Sequence, residues 1–554
     1  MKKWILQIRP LPMQPKGRSQ PEHHPKALAR NTLVFTLLLS IAGSIIGMQI
    51  ITTLGITPNT AVIGVILAIA VSRIPIRATR VYRSIHVQNL AQSNISAATF
   101  AAANSLMVPI GIPALLGRPD LIPAMLVGAT LGMLIDLAML YWFFDSALFP
   151  GSAPWPPGIA AAEAILAGDA GGKRAALMEA GGVVGIVGSS GFFGLLGSGG
   201  ISMSALGVAF LGNPGALSFF GMGLLVQAYA PRILRLDLNR LFIPHGLMIG
   251  AGLVALSQAI LLVARDRDPR GQASSTRPMF TRDNAYVRRA LGRGLLLYLA
   301  AALVLACAGG LWTGMPPLQF AWWVLFAAVS CVVAEFIVGF SAMRAGWFPA
   351  GGTALIFLVL GVMMGFPPLA TGLLVGFVAS GGPAFADAGY DLKAGWRLRG
   401  QGQDVRFEME GRWQQTLAAL VGFVTALVLV SLFHGRFFSS GLFPPFDRVF
   451  AAAIHSGIDR SLVPNLVLWA VPGAVVQLLG GSNRQLGILL ATGLIIGNAS
   501  MGWLVLAGIL IRFALNRIYK NQAEIPLAIF GAGCIAGGAL WDFGGSATRV
   551  RWRI

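Results

Sequence analysis

The chain has 554 residues, of which 55% are hydrophobic and 11% are charged, and its mean hydropathy is +0.72. Soluble domains carry about 25% charged residues, so this composition excludes an ordinary soluble protein. The formal net charge is +20, but the basic residues lie mainly in short segments between apolar runs. Cytoplasmic loops of membrane proteins have that pattern, which favours the lipid bilayer over nucleic acid as the partner.

Apolar runs of membrane-spanning length recur along almost the whole chain. A helix needs about 20 apolar residues to cross the hydrocarbon core of a bilayer. We therefore expect an all-α protein, a polytopic transmembrane bundle of about 14–16 helices. The predicted spans are 31–53, 57–72, 92–116, 121–144, 176–197, 199–230 with a break at 211–215, 242–264, 292–310, 319–342, 349–366, 367–382, 414–433, 461–480, 485–511 (read as two short segments) and 524–541.

The polar segments divide the chain into two membrane halves of similar length. The prediction is a basic cytoplasmic tail at 1–30, a first half at 31–264, a cytoplasmic linker at 265–291, a second half at 292–542 with a polar loop at 387–413, and a basic tail at 543–554. Each half contains a proline-rich break before an alanine run, at 154–165 and at 443–457. This pattern predicts an internal duplication.

The first of these breaks reads Trp155-Pro156-Pro157-Gly158. Proline lacks a backbone N–H and disfavours helix in the residue before it, so the chain is held extended until a helix begins near Pro157. Extended backbone cannot face lipid and must be packed inside protein or line a wet cavity, as in the broken or re-entrant helices of transporters. An ordinary loop outside the membrane is the alternative at this stage.

Three acidic residues lie inside predicted spans: Glu163, Asp136 and Glu335. An ionisable side chain at membrane depth usually faces the bundle interior and often belongs to a transport pathway. Each of the three is expected to be either a proton carrier or the partner of an arginine. Arg344 and His455 are further candidates for the pathway.

Cofactors and catalytic groups are not expected. The three cysteines are far apart, and no set of His, Cys, Asp or Glu has metal-ligand spacing. The sequence also has no Walker A pattern, HExxH or GxSxG. No metal, cofactor or catalytic residue is therefore predicted.

Three segments together resemble the oligopeptide transporter (OPT) family, and in particular its prokaryotic-type members. They are 87–117, which contains Asn94, then PPGIAAAEAILAG at 156–168, and ASGGPAFADAGYDLKAGWRLRG at 379–400. Glu163 stands where the family has an Ala-Glu pair, and Asp391 to Gly395 is similar to its D-L-K-x-G motif. The resemblance implies a proton-driven membrane carrier of peptides or peptide-like metal chelates.

The resulting hypothesis is a proton-coupled secondary transporter in the cell membrane, with a cytoplasmic N-terminus. Substrate is expected to bind between the two halves, and Glu163 to take up and release a proton. Lys393 is expected to pair with Asp391 or with a substrate carboxylate, or else to lie in solvent. A membrane-embedded enzyme, a passive channel and a homo-oligomeric assembly stay open as alternatives.

Overall fold

The computed structural model describes residues 23–54, 61–72, 74, 81–190, 203–264, 280–456 and 463–549. Within these ranges the chain is helical, and its β-structure is a single bridge between Phe144 and Phe149. The helices of the first half are α1 (Arg30–Leu54), α2 (Ala61–Ser72), α3 (Ile85–Phe100), α4 (Val108–Leu115), α5 (Ile122–Phe143), α6 (Pro156–Ala170), α7 (Gly172–Ser189), α8 (Ser204–Leu211), α9 (Pro214–Ile233) and α10 (Ile243–Ala264).

The predicted second half is helical as well. Its helices are α11 (Asn284–Ala308), α12 (Leu311–Gly314), α13 (Pro317–Ala345), α14 (Ala350–Met363), α15 (Pro368–Leu398), α16 (Val405–Ser439), α17 (Pro445–Ser456), α18 (Val463–Arg484), α19 (Leu486–Ile496), α20 (Ala499–Tyr519) and α21 (Glu524–Arg549). In the described part of the chain, 11 helical segments are long and apolar enough to cross a membrane. The prediction of an all-α polytopic bundle is thereby confirmed.

One nearly continuous helical segment, Ile85–Leu115, consists of α3, a π-helical stretch at Ala101–Met107, and α4. This segment and α15 are the most deeply buried candidate spans, and each is buried over 94% of its apolar window. They pack against each other, and α5, α6, α13 and α14 surround α15. The main hydrophobic core contains buried residues from Met48 to Leu494, so helices of both predicted halves contribute to it.

The predicted polar loop at 387–413 is wrong. Helix α15 runs through to Leu398, α16 begins at Val405, and only six residues connect them. The polar residues Asp387, Asp391 and Lys393 lie inside the bundle, at most 3% exposed. Low average hydropathy predicted a loop outside the membrane for these residues. It does not account for the hydrogen-bond partners that neighbouring helices supply to buried polar groups.

Two further predicted boundaries differ from the structure. Helix α11 begins at Asn284, where the Asp283 side chain caps Tyr286 N, so the last residues of the predicted linker are helical. Helix α21 continues to Arg549, beyond the predicted start of the C-terminal tail. The linker at 265–279 and the chain before residue 23 lie outside the described ranges. The division into two halves stays a prediction.

The predicted break at 211–215 is confirmed. Of the two short segments predicted within 485–511, the first is short (α19, 11 residues), whereas the second is a helix of 21 residues that continues to Tyr519. Helix α8 ends at Leu211, and α9 begins at Pro214 after Asn213, whose side chain accepts a hydrogen bond from Ala216 N at 3.0 Å. Helices α19 and α20 fill the second range. Pro and Asn next to an apolar run therefore marked helix ends correctly.

The segment just before α1 docks onto the start of α16. The His24 ring lies 5.4 Å from the Phe407 ring and 5.1 Å from the His86 ring, and Ala27 N donates to Gln414 Oε1 at 2.8 Å. Burial first, and then Arg399 and His86, lower the pKa of His24 from 6.5 to about 3. His24 is therefore neutral in the docked segment.

Acidification should release this segment. The unbound histidine takes up a proton as the pH falls through about 6.5 while the docked one does not, so docking is fully stable above that pH and is progressively lost below it. Between about pH 7.5 and pH 5.5 we expect a loss of roughly 1 kcal/mol of docking free energy. Hydrogen exchange of residues 23–30 measures it, with His24→Phe as the non-titrating control. Equal pH dependence in both proteins would show that His24 does not control docking.

Candidate functional site

The Trp-Pro-Pro break is buried inside the bundle. Trp155 has a left-handed backbone (φ 42°), its N–H donates to Met343 O at 2.9 Å, and its carbonyl accepts from Gly158 N at 2.9 Å. The indole is completely buried. Helix α6 then begins at Pro156, close to the predicted position, and has 15 residues. Its length of roughly 22 Å is too short to cross a hydrocarbon core of about 30 Å, which favours a broken helix over an ordinary loop and full span.

Two glycines allow the break to approach α15. A Cβ on Gly389 would lie 2.1 Å from Trp155 Cζ3, and a Cβ on Gly158 would lie 2.3 Å from Tyr390 O. Any larger residue at either position would push α6 away from α15. The Trp155 ring also makes an edge contact with the Tyr390 ring, with centroids 6.0 Å apart.

Lys393 holds the turn that precedes the break. Its Nζ donates to Gly151 O at 2.7 Å and lies 4.5 Å from the centre of the Trp396 ring. The side chain is buried, so the expectation of a lysine in solvent is wrong. The expected pairing with Asp391 is also wrong, because the carboxyl of Asp391 accepts a hydrogen bond from Gln92 Nε2 on α3.

Asp391 belongs to a short ladder between α3 and α15. Gln92 donates to Asp391, and one helical turn away Ser96 Oγ donates to Asp387 Oδ1 at 2.5 Å. The spacing of four residues on each helix places the two pairs on facing sides. Sequence reasoning missed Asp387 as a site residue, although its position four residues before Asp391 was the available signal.

Glu163 is fully buried and contacts two arginines. Its two carboxylate oxygens accept hydrogen bonds from Arg174 on α7 and Arg397 on α15. Two alternatives were open for this residue, a proton carrier or an arginine partner. These contacts favour the second, because two guanidinium groups stabilise the ionised carboxylate.

Asp136 and Glu335, selected separately from the sequence, meet at the hydroxyl of Tyr298. The three side chains come from α5, α13 and α11 and are buried, with at most 1% exposed. The hydroxyl contacts Asp136 Oδ1 and lies 2.5 Å from Glu335 Oε1. The carboxyls of Asp136 and Glu335 also form a side-chain hydrogen bond with each other.

The number of hydrogens in this triad requires a bound proton. A phenol has one hydrogen and donates to one carboxylate only, so the second short contact needs a hydrogen on the other carboxyl. Two ionised carboxylates at this separation would also repel each other strongly in a buried site. We therefore expect one of Asp136 and Glu335 to carry a proton. Tyr298 was not predicted, and no pattern in the sequence links it to either acid.

The remaining predicted residues have other surroundings. Asn94 is buried in a structural role, accepting from Ser40 Oγ at 2.7 Å and donating to Ala418 O at 2.9 Å. Arg344 is half-buried. It follows Met343, whose carbonyl accepts the hydrogen bond from Trp155 N, and its own Nε has no partner in the described structure. His455 is exposed, with Nδ1 2.9 Å from Ala451 O. The triad and the break do not include these three residues.

A buried ionic network closes the end of the bundle next to the docked N-terminal segment. Arg399 Nε lies 2.8 Å from Glu408 Oε2, and Arg412 Nη2 lies 3.2 Å from Glu408 Oε1 and 3.8 Å from Asp145 Oδ2. The side chains of Arg399, Arg412 and Glu408 have no exposed surface. Arg399, Glu408 and Arg412 fall within the predicted polar loop at 387–413. The network instead ties that connection to the chain after α5.

A cavity of about 530 Å³ opens between α2, α6, α7 and α21. Its wall is formed mainly by small and aliphatic residues, with Glu179 as its acidic residue. The cavity lies beside the second half of α6, at Ala164, Ala167 and Gly168, and not at Trp155. That Trp155, Pro156, Pro157 and Gly158 border a substrate path therefore stays a prediction. Among the described residues, no group of three or more His, Cys, Asp and Glu side chains is placed to hold a metal ion.

A protein-family model matches more than half of the chain. A family model described as OPT oligopeptide transporter protein matches residues 237–548, which is more than half of the 554 residues. Glu335, Asp391 and Lys393 lie inside the matched range, whereas Glu163 and Asp136 lie before it. No curated protein matches the chain.

If Glu163 is clamped by two arginines, Glu163→Gln should destabilise the protein. Removal of one partner leaves buried positive charge uncompensated, which typically reduces the free energy of unfolding by about 3–5 kcal/mol. Denaturant unfolding of the purified protein in detergent measures the change. The control is Asp120→Asn, which removes an exposed ion pair with Arg118 and should alter stability by less than about 1 kcal/mol. Wild-type stability in Glu163→Gln would rule out the clamp.

Proposed function

Since the chain belongs to the oligopeptide transporter family, we propose that it is a proton-coupled secondary transporter of small peptides or peptide-like metal chelates. Its many apolar helices make it a multi-pass membrane protein. The observation that carries the proton coupling is the triad of Asp136, Tyr298 and Glu335. It is a buried site whose hydrogen bonds require at least one bound proton.

The position of the triad suits a coupling site. A Cβ on Gly381 would lie 2.5 Å from Asp136 Oδ2, so the acid contacts α15 at that residue. Gly381 is about 20 Å along an α15 of roughly 46 Å, near the middle of the bundle. Proton and substrate sites of secondary transporters lie near the bilayer midplane, at the interface of the repeats.

In this proposal, coupling depends on the total charge of the Asp136 and Glu335 carboxyls. With one proton the two carboxyls together carry one negative charge, and with two protons they are neutral. A neutral pair is much easier to enclose in apolar surroundings than a charged one. We propose that the second proton enters from the side with the higher proton activity, lets the substrate-loaded bundle close and reopen, and leaves on the other side. Glu163, paired with its arginines, supports the structure in this scheme.

The proposed location is the cell membrane, with the N-terminus in the cytoplasm. The first 30 residues carry seven basic residues, and cytoplasmic segments of membrane proteins are enriched in Lys and Arg. The docked segment around His24 and the network around Glu408 would then mark the cytoplasmic end of the bundle. Added protease should cleave the tail only in inside-out vesicles.

Neutralising either acid should abolish proton-driven accumulation. A thermal-shift screen of the purified protein against di- to hexapeptides and metal chelates first identifies a substrate. In proteoliposomes with an imposed pH gradient, Asp136→Asn and Glu335→Gln should fail to concentrate that substrate, because the pair can no longer alternate between charged and neutral forms. Both variants should still exchange labelled for unlabelled substrate at equal concentrations.

The control for this experiment is Asp120→Asn, which changes an exposed acid far from the triad and should accumulate substrate as the wild type does. Full accumulation in Asp136→Asn, in Glu335→Gln and in the double variant would remove the triad from the mechanism. A wild-type protein that only equilibrates the substrate, whatever the pH gradient, would be a passive channel. Chemical conversion of the substrate inside the vesicles would indicate a membrane-embedded enzyme.

A further inference from the structure

Helix α17 carries a buried acid for which the bundle supplies no partner. The helix follows Phe443-Pro444-Pro445, and Asp447 lies in its first turn. The side chain has no exposed surface, and neither carboxyl oxygen has a hydrogen-bond partner within the described structure. Most buried polar side-chain atoms in proteins have at least one partner, so a carboxyl with none requires an explanation.

The carboxyl of Asp447 rests directly on the backbone of α4. A Cβ on Gly111 would lie 1.8 Å from Asp447 Oδ2 and 2.8 Å from its Cγ. Only glycine at position 111 leaves room for this contact. Pro109 and Pro113 flank the glycine on α4, so this short helix offers no side-chain donor to the acid at that level.

The helices with the most contacts to α17 are α1, α4, α14 and α15, and they bring no positive charge to Asp447. Helices α4 and α14 contain no titratable residue, and in α1 the titratable residue is Arg30 at the far N-terminal end. Helix α15 approaches α4 at Gly376, which lies next to Pro109. The first titratable residue of α15 is Asp387, about 16 Å further along the helix axis.

The charged residues of α17 itself are also directed elsewhere. Arg448 donates to Gly441 O at 2.9 Å and lies 6.0 Å from the centre of the Phe443 ring. His455 is exposed and lies two turns further along the helix. An ionised carboxylate in such a site would cost several kcal/mol, so the docked helix holds Asp447 as the neutral acid.

We infer that Asp447 is a second proton-binding residue, which holds α17 against α4 when protonated and releases it when ionised. The inference rests on the proposed transport function and adds a second proton to it. In the docked state the proton is bound to the carboxyl. In the released state the carboxylate is hydrated and the proton is in solution on the side to which α17 opens. No other bond changes.

The location of α17 separates the Asp447 site from the Asp136–Tyr298–Glu335 triad. Helix α6 meets α15 near Tyr390, whereas α17 meets it near Gly372, through Ile454. The two helices follow similar Pro-Pro breaks and contact opposite ends of α15, roughly 25 Å apart. The Asp136–Tyr298–Glu335 triad lies between them. A proton at Asp447 can therefore control one end of the bundle independently of the triad.

Hydrogen exchange of the purified full-length protein in lipid nanodiscs tests this without any transport assay. Between about pH 5 and pH 8.5, protection of the α17 amides should fall relative to α14, which has no titratable residue, after correction for intrinsic exchange rates. We expect the wild-type ratio to change at least about tenfold, since burying an ionised carboxyl is worth more than the 1.4 kcal/mol that a factor of ten represents.

Two variants should remove this pH dependence. Asp447→Asn keeps the shape of the side chain, Asp447→Leu fills a similar volume, and neither can release a proton, so α17 should stay protected at every pH. Asp283→Asn, which changes an exposed cap on α11, should behave as the wild type. If the two Asp447 variants do not fold, the wild-type comparison of α17 with α14 decides by itself.

An α17/α14 protection ratio that does not change with pH in the wild type would overturn the inference, as would the same pH dependence in Asp447→Asn. Either result leaves the proposed transport function standing. Conversely, a pH-dependent α17 in a protein that shows no proton-driven accumulation would reject the proposed function, but would keep Asp447 as a proton-binding residue.

Discussion

An isolated ionised carboxylate is strongly unfavourable in apolar surroundings, so a carboxyl group enclosed by the bundle needs a compensating arrangement. Four arrangements occur in the described part of the chain. Gln92 and Ser96 donate hydrogen bonds to Asp391 and Asp387. Arginines surround Glu163 and Glu408. Asp136 and Glu335 share Tyr298 and at least one proton. Asp447 lies against the backbone of Gly111 and has no hydrogen-bond partner in the described structure. Glu163 and Glu408 are held by ion pairs, whereas the Asp136–Tyr298–Glu335 triad and Asp447 are the proposed proton-binding sites.

Close helix packing makes these arrangements possible. Glycines on α15 and its neighbours let backbones and rings approach to distances that a Cβ would prevent, as at Gly389 under Trp155 and Gly158 against Tyr390. Small residues serve helix association in membranes in the same way, because lipid supplies no hydrophobic drive between helices. The result is a central helix, α15, along which the buried acids are arranged. Changes in their protonation can therefore alter how neighbouring helices pack on it.

Local sequence patterns predicted where helices begin and end better than which side chains contact each other. The Pro-Pro pair gave the start of α6 almost to the residue, since proline acts on its own backbone and on the residue before it. The segment at 387–413 failed as a loop prediction because its polar residues are satisfied by Gln92, Ser96 and Gly151, which are distant in the chain. Glu163 was correctly expected inside the bundle with an arginine partner as one of two alternatives, but Arg174 and Arg397 were not identified. Asp447 and Tyr298 were not selected at all.

By itself, the sequence determined the helical membrane class, most helix positions, the start of a helix after Trp155 and the presence of acids within apolar spans, because hydropathy and proline geometry act locally. Only the tertiary structure decided which acids are paired with arginines, which share a proton and which have no partner. That difference depends on side chains brought together from distant helices, and no local pattern encodes it.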